Sequence, residues 1–302
     1  MQYTHVSFSD ESNWNSGRYR SIGMLSAARA DALALHQETS RLLRESGVDE
    51  LKWKKIRTAK YRFAAQKLID VCAKAITDGH LRIDVLVWDS QDSRHAIRNP
   101  DVEANLQIMY FHLFKNVMSR RWPSACVWRH IPDEHVGVKW ETLQSCLSAK
   151  DSLPVSELAL DGGSPPSESF GASIKRIFKV AEITECRSQE MSLTQVADML
   201  AGMGAFSRER FAEYRAWKRS AGYSETLFDA APRSDPTPGR LEKFQVLSHF
   251  ESTMEQLALP VALDQTGGLR TLDPSIAVNF WLYQPQSRFD KARGKADREL
   301  LL

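Results

Sequence analysis

The feature of this sequence richest in chemistry is a set of acidic residues placed at the ends of apolar rows. Asp10 continues the alternating row Val6, Phe8, and Asp89 continues Leu81, Ile83, Val85 and Val87. Asp133 continues Val127 and Ile131, just past Pro132. Each aspartate sits at the C-terminal end of an expected strand, which is where open α/β sheets place ligands and chemistry. For any one of them the bland alternative is an Asp that caps a helix or turns the chain. Asp198 is different: it lies in Leu193–Phe206, where only Thr194, Gln195 and Asp198 are polar. A helix apolar or small nearly all round is buried on more than one side. No basic residue lies one turn from Asp198, so its charge needs a cation or hydrogen-bond donors from elsewhere in the chain. Clustered hard oxygen ligands favour Mg²⁺ or Mn²⁺ over zinc. Two such ions about 4 Å apart activate a water and stabilise the leaving oxygen of a phosphodiester.

Basic and aromatic residues add a second signal. Glu50 precedes Lys52, Trp53, Lys54, Lys55 and Arg57, a patch able to hold phosphates while Trp53 stacks on a base or sugar. The alternative is a solvated charged face. Trp14, in a turn-like stretch near Asp10, is a further contact candidate, whereas Trp88 falls in a strand pattern and reads as core. Arg18 with Arg20, Arg120 with Arg121, and Lys175 with Arg176 and Lys179 form a phosphate track only if they share a face. His130, Asp133 and His135 invite a mixed metal site, but strand alternation puts His130 on the face opposite Asp133. No GxxxxGK[ST] loop, GxSxG elbow or HExxH helix is present, which disfavours nucleotide-triphosphatase, serine hydrolase and zincin chemistry. Paired acids also serve glycoside hydrolysis, a mechanism with no need of a buried helical carboxylate.

The elements that must carry these residues follow from periodicity. Gln2–Asp10 and Arg20–Ser26 read as a hairpin about the turn Asn13–Gly17, and Ala27–Ser46 has helical spacing ending at Gly47. Glu50–Trp53 is expected as a short strand, Thr58–Asp78 as a helix, Leu81–Trp88 as a strand, Asp101–Arg120 as a helix and Ala125–Ile131 as a strand. A helix near Lys139–Leu147, a surface excursion at about 152–170, a strand in Ile174–Ile183 and the helix Leu193–Phe206 complete an α/β order. Beyond residue 208 charged helices (Arg208–Ser220, Arg240–Leu257) flank a Pro-rich linker. A hairpin turn at Asp264–Gly268, a late strand Asn279–Tyr283 and a basic run Lys291–Arg298 follow. The expected organisation is a main domain, 1–208, with accessory helices, hairpin and tail over 209–302.

With 302 residues, 40 Lys and Arg against 38 Asp and Glu, and 42% hydrophobic residues, the chain has the composition of a soluble globular protein. Nearly balanced charge means that a nucleic-acid partner is held by a local basic surface. No apolar run approaches the roughly 20 residues that cross a bilayer, and the N-terminus lacks a signal-like h-region. The expectation is a cytoplasmic protein without a membrane segment. Four dispersed cysteines with no CxxC pair read as buried free thiols.

Four stretches together resemble a family. Ser9-Asp10-Glu11-Ser12, Glu50-Leu51-Lys52-Trp53, Asp133-Glu134 and Leu193-Thr194-Gln195-Val196-Ala197-Asp198-Met199-Leu200-Ala201-Gly202 are similar to motifs of the uncharacterised bacterial DUF3800 proteins, over roughly residues 3–208. The first and last are the specific ones. The resemblance implies an RNase H-like mixed sheet with helices on both faces and an acidic, divalent-metal nuclease centre. Carried over, that centre is Asp10, Glu50, Asp133 and Asp198. A strict RNase H strand order would place the third acid on the strand next to the first, which favours Asp89, so Asp89 stands as the reserve ligand. The functional expectation is a Mg²⁺- or Mn²⁺-dependent nuclease acting on DNA or RNA. A role in defence against mobile DNA follows only by association with the fold. The alternative is a non-catalytic RNase H-like scaffold that binds nucleic acid or a protein partner.

Overall fold

A computed structural model describes residues 2–92, 101–134, 138, 140, 178–221, 236–264 and 267–285. The expected excursion at 152–170, all of the helix near 139–147 except residue 140, His135, Lys175, Arg176 and the basic run 291–298 lie outside the described residues.

The chain forms a mixed α/β fold, a central sheet flanked by helices with a C-terminal helical and hairpin extension. β1 (His5–Ser12) and β2 (Tyr19–Ala28) form the expected hairpin, with Asp10 paired to Gly23. β3 (Arg82–Asp89) pairs antiparallel with β2, and β4 (Trp128–Pro132) pairs parallel with β1. β5 (Val180–Ile183) adds outside β4. The last strand of the sheet comes from the far end of the chain: β8 (Val278–Leu282) lies parallel to β3. The order is β5-β4-β1-β2-β3-β8, with β2 alone reversed. A hairpin of β6 (Val261–Asp264) and β7 (Gly268–Thr271) forms a separate two-stranded sheet.

Alternation sorts the two faces. Val6, Phe8, Leu25, Ile83, Val85 and Val87 pack under α1 (Arg29–Glu45), α2 (Ala59–Thr77) and α4 (Ser192–Glu209). Ile22, Met24, Leu86 and Trp88 pack on the other face against α3 (Val102–Val117). Two further helices, α5 (Phe211–Ala221) and α6 (Pro238–Gln256), cover the first layer.

Helix α4 is buried from Ser192 through Ala205. It rests directly on the hairpin: Ser21 Oγ donates to Ala201 O at 2.7 Å, and a Cβ at Gly23 would overlap the Ala197 carbonyl. Small residues are needed wherever backbones approach this closely. On its far side Gly202 takes the Trp53 ring, which a Cβ there would strike.

The expected strand at Glu50–Trp53 is absent. Residues 50–52 run without strand pairing into a 3₁₀ turn, Trp53–Lys55, because side chains of α4 satisfy their main chain instead. Leu51 N donates to Gln195 Oε1 at 2.7 Å and Trp53 N to Asp198 Oδ2 at 2.5 Å. Among the described residues, no helix is long and apolar enough to cross a membrane.

Candidate acidic cleft

Three elements bring carboxylates to one place. Asp10 stands near the end of β1, Asp133 follows β4 as the next residue, and Asp198 is held nearly two turns inside α4, over the hairpin. β4 is the direct neighbour of β1, so the acid on the adjacent strand is Asp133. Asp89 lies on β3, beyond β2. There it takes three hydrogen bonds from the Arg18 guanidinium at 2.8–3.2 Å, and it does not line the cleft.

Lys52 is the centre of the arrangement. Its Nζ stands 2.5 Å from Asp10 Oδ2 and 2.5 Å from Asp133 Oδ2, with the lysine side chain only 12% exposed. Burial opposes its charge, but Asp10 and Asp198 outweigh that and raise its pKa. Sequence reading placed Lys52 among phosphate contacts; the structure makes it the counter-ion of the acids. No signal on α4 itself announces this, because the cation and the donor to Asp198 both come from a segment some 145 residues earlier.

One ammonium is too little for the negative charge here. Burial pushes Asp198 up to about 6, although Lys52 and the Trp53 N–H pull the other way. Burial, then Asp198, holds Asp10 well above the usual carboxylate range. Glu11, whose side chain points through the sheet to the opposite face, is pushed up to about 7 by burial. It accepts a hydrogen bond from Tyr110, whose hydroxyl also meets Ser9 Oγ at 3.1 Å, and Ser9 in turn contacts His130 Nε2 at 3.2 Å. Burial lowers His130 to about 3, so this imidazole is neutral. It faces away from Asp133, as the alternation required.

Glu50 is not in the cluster. It pairs with Lys55 and accepts from Ser188 Oγ at 2.5 Å, and these contacts outweigh burial and lower its pKa. Lys55 is therefore committed to Glu50. Trp53, expected to stack on a base, is instead buried between Gly202 and Phe206, the Phe206 ring centroid 5.4 Å away.

The acids form part of the floor of an open cleft of about 870 Å³. Its walls carry Lys54, Arg57, Arg210, Arg240 and Lys243, and Trp14 stands on one side. Glu213 engages Arg210 at 3.0 Å and Arg240 at 2.7 Å. Among the described residues, Lys54 and Arg57 have no carboxylate at ion-pair distance, while burial lowers Lys243 to about 8. Arg57 belongs to the basic patch read from the sequence, whereas Lys243, Arg210 and Arg240 were not foreseen, since Arg240 and Lys243 lie on α6, Arg210 lies between α4 and α5, and nothing local ties them to the acids.

The donor set suits a hard divalent cation. Buried carboxylate oxygens surround a point that already holds a positive group, and burial, more than their mutual repulsion, raises the pKa values of Asp10, Glu11 and Asp198. As the side chains stand, with Lys52 between them, no three His, Cys, Asp or Glu among the described residues are grouped closely enough to hold a metal ion. Any cation entering this site would have to displace the Lys52 ammonium, which has a flexible four-carbon stem to withdraw on.

Two proteins of Methanothermobacter thermautotrophicus, described as "Uncharacterized protein ORF2′" and "Uncharacterized protein ORF2", are similar to this chain. Each is 36% identical over 293 residues, covering 94% of this chain and 96% of its own length. No family model matches the chain.

Proposed function

The chain belongs to the family of these two archaeal ORF2 proteins, and from the cleft's geometry we propose that it hydrolyses phosphodiester bonds of nucleic acid with a divalent cation, Mg²⁺ or Mn²⁺. The observation that carries this reading is the pairing of an acidic floor with a basic rim. A phosphate drawn in by Lys54, Arg57 and Lys243 is repelled by Asp10, Asp133 and Asp198 unless positive charge intervenes at their oxygens. These three carboxylates would hold the cation. When bound, it would supply charge neutralisation and a more acidic water. Glu11, held by Tyr110 on the opposite side of β1, changes its charge near neutral pH behind the acids and so adjusts the negative charge that they face.

The RNase H-like scaffold and the resemblance to DUF3800 belong to the same proposal. Support comes from the sheet, in which the hairpin, the reversed β2 and the adjacent β4 bring Asp10 and Asp133 side by side. The specific first and last motifs also meet, since α4 lies on β1 and β2.

A second reading has its own observation. Lys52 already bridges two acids, an arrangement that a non-catalytic scaffold would keep as a permanent structural pair. Calorimetry with Mn²⁺ and a cleavage assay on DNA and RNA separate the two. The hydrolytic reading expects Mn²⁺ uptake and cleavage that falls to background in Asp198→Asn and Asp10→Asn, both folded by circular dichroism. A folded wild type that takes up no divalent ion, or cleavage unchanged in those variants, rejects it.

A further inference from the structure

The opposite face of the sheet carries a second cleft, of about 620 Å³, at the edge formed by β8 and β7. Its lining includes Lys115 from α3, Arg120 and Arg121 just beyond that helix, Arg208 at the end of α4, and Arg270 on β7. No acidic side chain lines it among the described residues. In a chain of 40 basic and 38 acidic residues, five cations from three separate stretches with no described acid lining the same cleft is a marked local excess. Of the basic groups marked in the sequence, Arg120 with Arg121 lines this cleft.

The nearest buried acid does not cancel the charge. Asp84 is fully buried and is shared between two guanidinia, Arg82 at 3.0 Å and Arg121. Arg121 also lies over the Trp281 ring, 4.8 Å from its centroid. Arg208 is fixed by backbone carbonyls, donating to Leu269 O at 3.0 Å and Gly267 O at 3.3 Å. These arginines are therefore set in place before any anion arrives.

The floor holds a second, independent sign. Asn279, paired with Asp84 across the β3–β8 ladder, lines the cleft and is 1% exposed, yet neither its Nδ2 nor its Oδ1 has a hydrogen-bond partner among the described residues. Leaving a buried amide unsatisfied is costly, and such groups are rare without a reason. A carboxamide offers a donor and an acceptor side by side, the pattern that matches the edge of a nucleobase.

We propose that this cleft binds a nucleotide unit: Lys115, Arg120 and Arg270 meet its phosphate ester, and Asn279 hydrogen-bonds the group attached to it. The source is a free nucleotide or one unit of a strand. The site does not depend on hydrolysis at the acidic cleft.

Because the acidic cleft has a basic rim of its own, the test is made in full-length protein carrying Lys54→Glu and Arg57→Glu. Calorimetry at low salt uses inorganic phosphate, a nucleoside 5′-monophosphate and a short single-stranded oligonucleotide. The proposal expects the nucleotide or the oligonucleotide to bind more tightly than phosphate. Adding Lys115→Glu and Arg120→Glu, both on the outside of the fold, should then weaken that binding at least tenfold. Arg270→Glu, on a different element, should act in the same direction. If the oligonucleotide binds best, its salt slope should fall by about 1 for each phosphate contact removed. If the monophosphate binds as well, a free nucleotide is the ligand. Equal affinity for phosphate and nucleotide, no binding of any probe, or affinity untouched by the charge reversals in a protein with an unchanged melting profile would overturn the proposal.

Discussion

Replacing Lys52 by methionine tests the electrostatics of the cleft most directly. The substitution keeps the length of the stem and removes the one cation that bridges Asp10 and Asp133. Breaking a buried pair from one side costs about 3–5 kcal/mol. Here the acids have an escape, because one of them can take up a proton. The folded variant then binds about one more proton than the wild type across the range where free carboxyls are ionised. That makes its stability fall by about 1.4 kcal/mol per pH unit relative to wild type, or about 4 kcal/mol between pH 5 and pH 8. The sign follows from the direction of proton uptake. In the wild type, Glu11 and Asp198 already have raised pKa values, about 7 and about 6. The stability they contribute is present at acid pH and is lost as pH rises through those values. Lys52 stays charged throughout, its own contribution being complete below its ordinary value of 10.5. Urea unfolding followed by tryptophan fluorescence at several pH values between 5 and 8 measures the difference. Curves for variant and wild type that run parallel in pH would show that Lys52 does not balance the acids. If the carboxylates also hold a divalent cation, Mn²⁺ should restore the variant at pH 8 more than it stabilises the wild type.

Three other perturbations have definite outcomes. Gly202→Ala drives a methyl into the Trp53 ring and should cost about 1–3 kcal/mol in thermal or urea unfolding, while a matched Gly79→Ala, where a Cβ meets nothing, reports only the cost of its positive φ. Asp84→Ala leaves two buried guanidinia without their acid and should destabilise by about 3–5 kcal/mol; Asp89→Ala, whose partner Arg18 is half exposed, should lose under about 1 kcal/mol, and equal losses would refute the contrast. Oligonucleotide affinity at the acidic cleft should fall as pH rises through about 8, where Lys243 gives up its proton. Lys243→Arg should abolish that fall, since a guanidinium stays charged, and a fall of the same size in that variant would exclude Lys243 as its source.

Elements built on strong periodicity were legible in the sequence. Alternation in residues 2–10 and 81–88 marked β1 and β3, with Asp10 on the core-facing row, and the all-apolar segment around Asp198 marked a helix buried on more than one side. The segment 50–53 misled for a physical reason. Its extended backbone looks like a strand, but Gln195 and Asp198 supply the hydrogen bonds that a neighbouring strand would have given. The same long-range contact sets Lys52 among the acids and leaves Glu50 to Lys55 and Ser188, and no local pattern distinguishes those two fates. Spacing along one strand could place Asp89 at a strand end, but only the pairing of β4 with β1 shows which acid stands beside Asp10.

β8 has a consequence for how the molecule is made. Its five residues, 278–282, close the edge of β3, which was synthesised about 190 residues earlier. Until they leave the ribosome, β3 presents an open row of amides and carbonyls, the kind of edge that recruits foreign strands. A chain cut after α4 would keep the acids and the helix that bears Asp198, yet carry that adhesive edge permanently. Loss of solubility on such truncation is the expected mark of a sheet that is finished last.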